Sequence, residues 1–138
     1  GMMRARDLMA FFTQLYLVRT IEQTGSYHIP SYIADMHRRF QNAYFEPYSL
    51  DELAAEYKVN KYRLCREFAK YYEYTPMQYL NKIRIDKAKE LLLDTDDKIV
   101  EISQSVGIEN TNHFIRLFKE KTGVTPLTYR RETPVLKS

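Results

Sequence analysis

Three histidines (His28, His37 and His113) and a single cysteine (Cys65) are the side chains of this 138-residue chain best suited to catalysis or metal binding. They are scattered. No organised carboxylate pair, phosphate-binding glycine loop or zinc-ligand spacing accompanies them, so an enzyme, a cofactor and a metal site are not expected. Another chemistry is written at helical spacing. Lys61, Tyr62, Cys65 and Arg66 stand at i, i+1, i+4 and i+5, and Thr111, Asn112, His113 and Arg116 form a second such set. On a helix each set lies along one edge and carries the hydrogen-bonding and small apolar groups that base edges in a DNA major groove require. Arg66 and Arg116 stand out, because a guanidinium can bond guanine O6 and N7 together. Lys70, Lys119, Lys121, Arg130 and Arg131 add cations able to approach phosphates, which set position rather than sequence.

The elements that must hold these residues follow from the apolar pattern. Residues 106–131 read as a helix end, a tight turn at Gly107 and a second helix from about Asn110 to Lys121, with Phe114, Leu117 and Phe118 on its inner face. Gly123 sits where a helix stop needs positive φ, and Thr125-Pro126 reads as the N-cap and first residue of another short helix. Helix, turn and helix with a polar outer face is the pattern of a helix-turn-helix.

The pattern occurs twice. Leu50, Glu52, Leu53, Tyr57 and Val59 fall on Ile99, Glu101, Ile102, Val106 and Ile108 with an offset of 49. After one inserted residue the offset is 50, and Leu64, Arg66, Phe68, Thr75, Pro76 and Tyr79 fall on Phe114, Arg116, Phe118, Thr125, Pro126 and Tyr129. Two copies are too few to stack as a solenoid, so they read as two small helical units joined by a helix.

The segments A-K-E-L-L-L-D-T (88–95), I-V-E-I-S-Q-S-V-G-I (99–108), H-F-I-R-L-F-K (113–119), G-V-T-P (123–126) and Y-R (129–130) carry a resemblance to the DNA-binding domain of AraC/XylS-type bacterial transcription regulators. The resemblance covers about three quarters of the chain. It implies an all-α fold of two helix-turn-helix subdomains, a homeodomain-like pair joined by a long linking helix. It also implies base contacts from Tyr62, Cys65 and Arg66 in the first unit and from Asn112, His113 and Arg116 in the second. Lys61, Lys70, Thr111, Lys119, Lys121 and Arg130 are left for the backbone or flanks. In this resemblance one chain sets its two recognition helices in successive major grooves, and the DNA bends if the units stand closer than about 34 Å, one helical repeat. Double-stranded DNA is the expected partner, with RNA polymerase a further candidate.

Composition sets the remaining bounds. Few glycines, no tryptophan and abundant helix formers favour helices over sheets. The net charge of +3 permits a polyanionic partner without requiring one, so placement of the basic residues carries the weight. One cysteine cannot form an internal disulfide, and neither a membrane span nor a signal peptide is visible, which suits a cytoplasmic protein. Gly1 ahead of Met2 reads as the scar of a cleaved tag, and the chain as a candidate fragment of something longer.

In chain order, residues 4–24 predict one extra N-terminal helix striped by Leu8, Phe11, Leu15 and Val18, either packed on the following domain or dimerising. With its loop this segment occupies 1–30; a homodimer through it, or through a sensor domain beyond these residues, is the corresponding expectation. The DNA-binding domain is placed at 31–132, with its helix-turn-helices at about 50–73 and 99–122, and a tail at 133–138. Its first helix, from Ser31 to about Ala43, should bury Ile33, Met36, Phe40 and Tyr44 and leave Arg38 and Arg39 in solvent. Ser49 to Glu52 forms a capping box, Asn60 caps the first reading helix, and Thr75-Pro76 opens a strut to about Leu93, roughly 25 Å long. Asp97 is the expected N-cap of the helix at 98–105. Two departures mark the first unit as the more divergent reader: Glu73 replaces the stop glycine and Lys58 the turn glycine. The rival class is a tyrosine-rich helical protein-interaction module, distinguished by the weak salt dependence of an apolar interface.

Overall fold

The computed structural model describes residues 28–133; the expected N-terminal helix with its Leu8–Phe11–Leu15–Val18 stripe, and the tail from 134, lie outside the described residues. Among the described residues there are seven helices and no strand. They are α1 (Ser31–Asn42), α2 (Leu50–Tyr57), α3 (Lys61–Tyr72), α4 (Pro76–Asp94), α5 (Ile99–Ser105), α6 (Thr111–Thr122) and α7 (Pro126–Glu132). The pairs α2–α3 and α5–α6 are the two helix-turn-helix units, and both are mounted on α4, against which α3, α5 and α7 pack. With 19 residues, α4 is about 28 Å long.

Local chemistry sets the helix starts. Ser49 accepts from Glu52 N at 3.0 Å, Asn60 from Tyr62 N at 2.8 Å, Asn110 from His113 N at 2.9 Å and Thr125 from Thr128 N at 3.2 Å. Thr75 and Gln78 close a reciprocal capping box ahead of the strut. The start of α5 differs from expectation. Thr95 Oγ1 donates to Leu91 O and accepts from Asp97 N, which keeps 95–97 in the turn and moves the N-cap from Asp97 to Lys98. Glu101 then reaches back to Lys98 N at 2.8 Å.

The sequence repeat is reproduced in the backbone bonds of the turns and of the helix stops. In the first turn Lys58 N donates to Ala55 O and Val59 N to Ala54 O; in the second, 49 residues on, Gly107 N donates to Gln104 O and Ile108 N to Ser103 O. At the helix stops Glu73 N donates to Ala69 O and Gly123 N to Lys119 O, now 50 residues apart. Phe68 meets Tyr79 edge-on with ring centroids 5.6 Å apart, and Phe118 meets Tyr129 at 5.4 Å. Lys58 (φ 59°) and Glu73 (φ 70°) themselves adopt the left-handed conformation, so these helices end as their copies do, with side chains where glycine is easier.

The first unit buries Ile33, Met36, Phe40, Leu53, Leu64, Phe68 and Leu80; the second buries Ile85, Ala88, Leu92, Ile102, Val106, Ile108, Phe114, Leu117 and Phe118. Tyr44 lies beyond the end of α1 and is only half-buried, packed against the second core rather than the first. Arg39 is not a free solvent charge. Its Nη1 donates to Glu56 Oε2 and to Tyr57 OH, both at 2.9 Å, and its guanidinium lies 5.4 Å from the centre of the Tyr48 ring, bracing α1 against α2. The Tyr57 bond is the main cause of its raised pKa. Burial chiefly holds the Tyr57 hydroxyl up at about 12.

Candidate nucleic-acid interface

Each unit buries two or three apolar side chains of its second helix and leaves the opposite edge outward. On α3, Leu64 and Phe68 are fully buried, while Tyr62 is 66% exposed, Arg66 is exposed and Cys65 is half-exposed. On α6, Phe114 and Phe118 are fully buried, Leu117 nearly so, and Asn112, His113, Arg116, Lys119 and Lys121 are exposed. The two sets of candidate base-reading residues therefore each form one outward edge, and Arg66 and Arg116 hold equivalent places in the two copies. Half-burial is the largest cause of the raised Cys65 pKa.

The two edges differ in how their charges are held. On the first, Lys61 pairs with Asp51 at 3.0 Å and Arg63 with Glu67 at 3.1 Å. Glu67 also accepts from the Tyr32 hydroxyl, the largest cause of its lowered pKa. On the second, no carboxylate among the described residues lies within ion-pair distance of Arg116, Lys119 or Lys121; Arg66 and Lys70 of the first are likewise unpaired there. Arg130 points elsewhere. Its Nε donates to Leu92 O and its Nη2 to Thr95 O, both at 3.0 Å, so it closes the C-terminal end of α4.

Arg84 was not singled out in the sequence and is 8% exposed. Its Nε donates to Tyr44 O at 2.8 Å and its Nη2 to Glu46 O at 2.7 Å. The signal was present, since Leu80, Arg84, Ala88 and Leu92 follow one another at i+4, a cation in the middle of an apolar stripe.

The family described as "Helix-turn-helix domain" matches residues 53–132, more than half of the chain and both units. In three dimensions the fold matches the C-terminal domain of the two-component response regulator yesN from Fusobacterium nucleatum, with a TM-score of 0.67, 30% identity and coverage of 73% of this chain and 99% of that one. It also matches a transcriptional regulator with an AraC-type DNA-binding domain from Chromobacterium violaceum (TM-score 0.62, 26% identity, 75% of this chain and 95% of that one). The chain belongs to the AraC-type helix-turn-helix family. Among curated relatives, the HTH-type transcriptional regulator YdiP of Escherichia coli K12 is 35% identical over 100 residues, 72% of this chain and 33% of YdiP. The chain spans a quarter to a third of the length of the first such regulators it matches. Helices α3 and α6, with their outward edges, are the second helices of the two helix-turn-helix motifs. No described helix is long and apolar enough to cross a membrane.

Proposed function

We propose that this AraC-type domain binds double-stranded DNA site-specifically as the reading part of a cytoplasmic transcription regulator, with α3 and α6 of one chain in successive major grooves. The observation that carries this reading is the twofold occurrence of one capped helix pair, each with an outward polar edge and an arginine at the same place. Tyr62, Cys65 and Arg66 on α3, and Asn112, His113 and Arg116 on α6, read base edges. Lys61, Lys70, Thr111, Lys119 and Lys121 approach the backbone. Regulation at promoters brings RNA polymerase in as a partner of the bound complex, and dimers arise through segments outside the described residues. No catalytic role is proposed for His37, which is stacked on Tyr72 with ring centroids 4.1 Å apart and bonded to Tyr79.

The test is a titration of the purified chain onto its best duplex at several salt concentrations. Binding through several phosphates loses affinity steeply and log-linearly with salt. A weak, salt-insensitive interaction would instead favour a protein-interaction module.

A further inference from the structure

The two units touch each other away from α4, through a loop seated on a glycine. After α1 the chain passes through Tyr44, Phe45 and Glu46, and the Phe45 backbone lies directly on Gly107 in the turn of the second unit. A Cβ at Gly107 would stand 2.8 Å from Phe45 O and 3.0 Å from its C and Cα, closer than packed atoms allow and against backbone that cannot swing aside. Arg84 grips the same segment from α4 through Tyr44 O and Glu46 O. Beside this contact an open cleft of about 370 Å³, lined by Phe45, Arg84, Gly107, Asn110 and His113 among others, runs to the N-terminal turn of α6.

The two backbone bonds of the turn do not by themselves require glycine, since the copy in the first unit makes them with Lys58 in place, at φ 59°. Gly107 differs in two ways: its φ of 93° lies beyond the range side chains adopt easily, and a chain lies on it. Two bodies mounted on one helix can still shift about it by the small sliding that packed helices allow. A second attachment point away from that helix removes this freedom.

We propose that the Phe45 loop, seated on Gly107 and held by Arg84, is a joint that fixes the mutual orientation of α3 and α6 and so selects the spacing between the two DNA boxes that one chain accepts. Gly107 and Arg84 are positioning residues. The orientation part stands on the contacts above, and the spacing part rests on the reading of both helices as DNA readers.

The chain offers a direct probe, since Cys65 on α3 is its only cysteine. Adding Glu120→Cys on exposed α6 creates a pair of spin-label sites, one on each reading helix, for pulsed distance measurement without DNA. A single narrow distance is expected in this background. Gly107→Ala and Arg84→Met should broaden or shift it, while Lys58→Ala should leave it narrow. Arg84→Met stands in if Gly107→Ala does not fold by circular dichroism. On duplexes whose boxes are moved apart one base pair at a time, the parent should lose affinity with each step away from its preferred spacing. In the two joint variants that penalty should flatten, with binding to a single box unchanged. Folded joint variants that keep the parent's distance distribution and spacing profile would overturn the joint, as would a parent distribution already broad. A distance that responds as expected in a chain that selects no DNA supports the joint and overturns the DNA reading instead.

Discussion

Arg116 and Lys119 are one turn apart on α6, both exposed and without a carboxylate partner among the described residues, yet they should fail in different ways when removed. Arg116→Ala should cost about 1–3 kcal/mol on the preferred site and relax the base preference at one position, whereas Lys119→Ala should weaken all sequences alike and lower the salt slope by about one. Binding of each variant to the preferred site and to single-base changes of it measures both effects; equal losses on every sequence for Arg116→Ala would remove it from base reading. His37 makes a second residue-scale prediction. Its ring is stacked on Tyr72, and its Nε2 lies 2.7 Å from the Tyr79 hydroxyl, itself bonded by Gln41. Burial, with Arg38 adding to it, lowers its pKa from 6.5 to about 4. The unfolded chain therefore takes up a proton more readily than the folded one. The stability associated with the neutral ring is complete above about pH 6.5 and is lost as the pH falls towards 4, at up to about 1.4 kcal/mol per pH unit. Urea unfolding between pH 7 and pH 5 should show the decline, and His37→Phe should flatten it; a variant that follows the parent's slope would contradict this origin. Periodicity made the outward place of Arg66 and Arg116 legible, because Leu64, Phe68, Phe114 and Phe118 define the inner faces. The partners of Arg39, Arg84 and Arg130 were not, since each lies across a tertiary contact that spacing along the chain does not encode.

At the scale of the helix, the two copies differ most in how their ends are made. Glu73 and Gly123 terminate equivalent helices with equivalent bonds, but Glu73 does so with a side chain at φ 70°. Glu73→Gly should therefore stabilise the fold by about 1 kcal/mol, and Gly123→Ala should destabilise it by a similar amount. No neighbour would crowd the new Cβ at Gly123, so conformation alone decides the sign there. Thermal unfolding of both variants measures this, and a Glu73→Gly domain no more stable than the parent would count against strain at that stop. The helix boundaries were legible from Asn60, Asn110, Thr75-Pro76 and Thr125-Pro126, residues whose side chains or ring act locally. The start of α5 differs from the Asp97 cap that local sequence suggests, because Thr95 engages both Leu91 and Asp97 and delays the helix by one residue. Glu73 and Lys58 gave no local sign that they would accept positive φ; only their register with Gly123 and Gly107 pointed to it.

At the scale of the whole molecule, two copies of one unit share α4, and their matching bonds and ring pairs argue that both copies do the same work. The sequence made the duplication visible, but not the seat of the Phe45 loop on Gly107, because a close backbone approach leaves no side-chain signature beyond a glycine that the turn already explains. In this account one chain reads two boxes, one with each unit. The most direct test is selection from random duplex DNA by the parent chain, Arg66→Ala and Arg116→Ala in parallel. The parent should enrich a site of two short boxes about one helical turn apart, with Arg66→Ala losing definition in one box and Arg116→Ala in the other. A single enriched box, or the same box weakened by both variants, would contradict it.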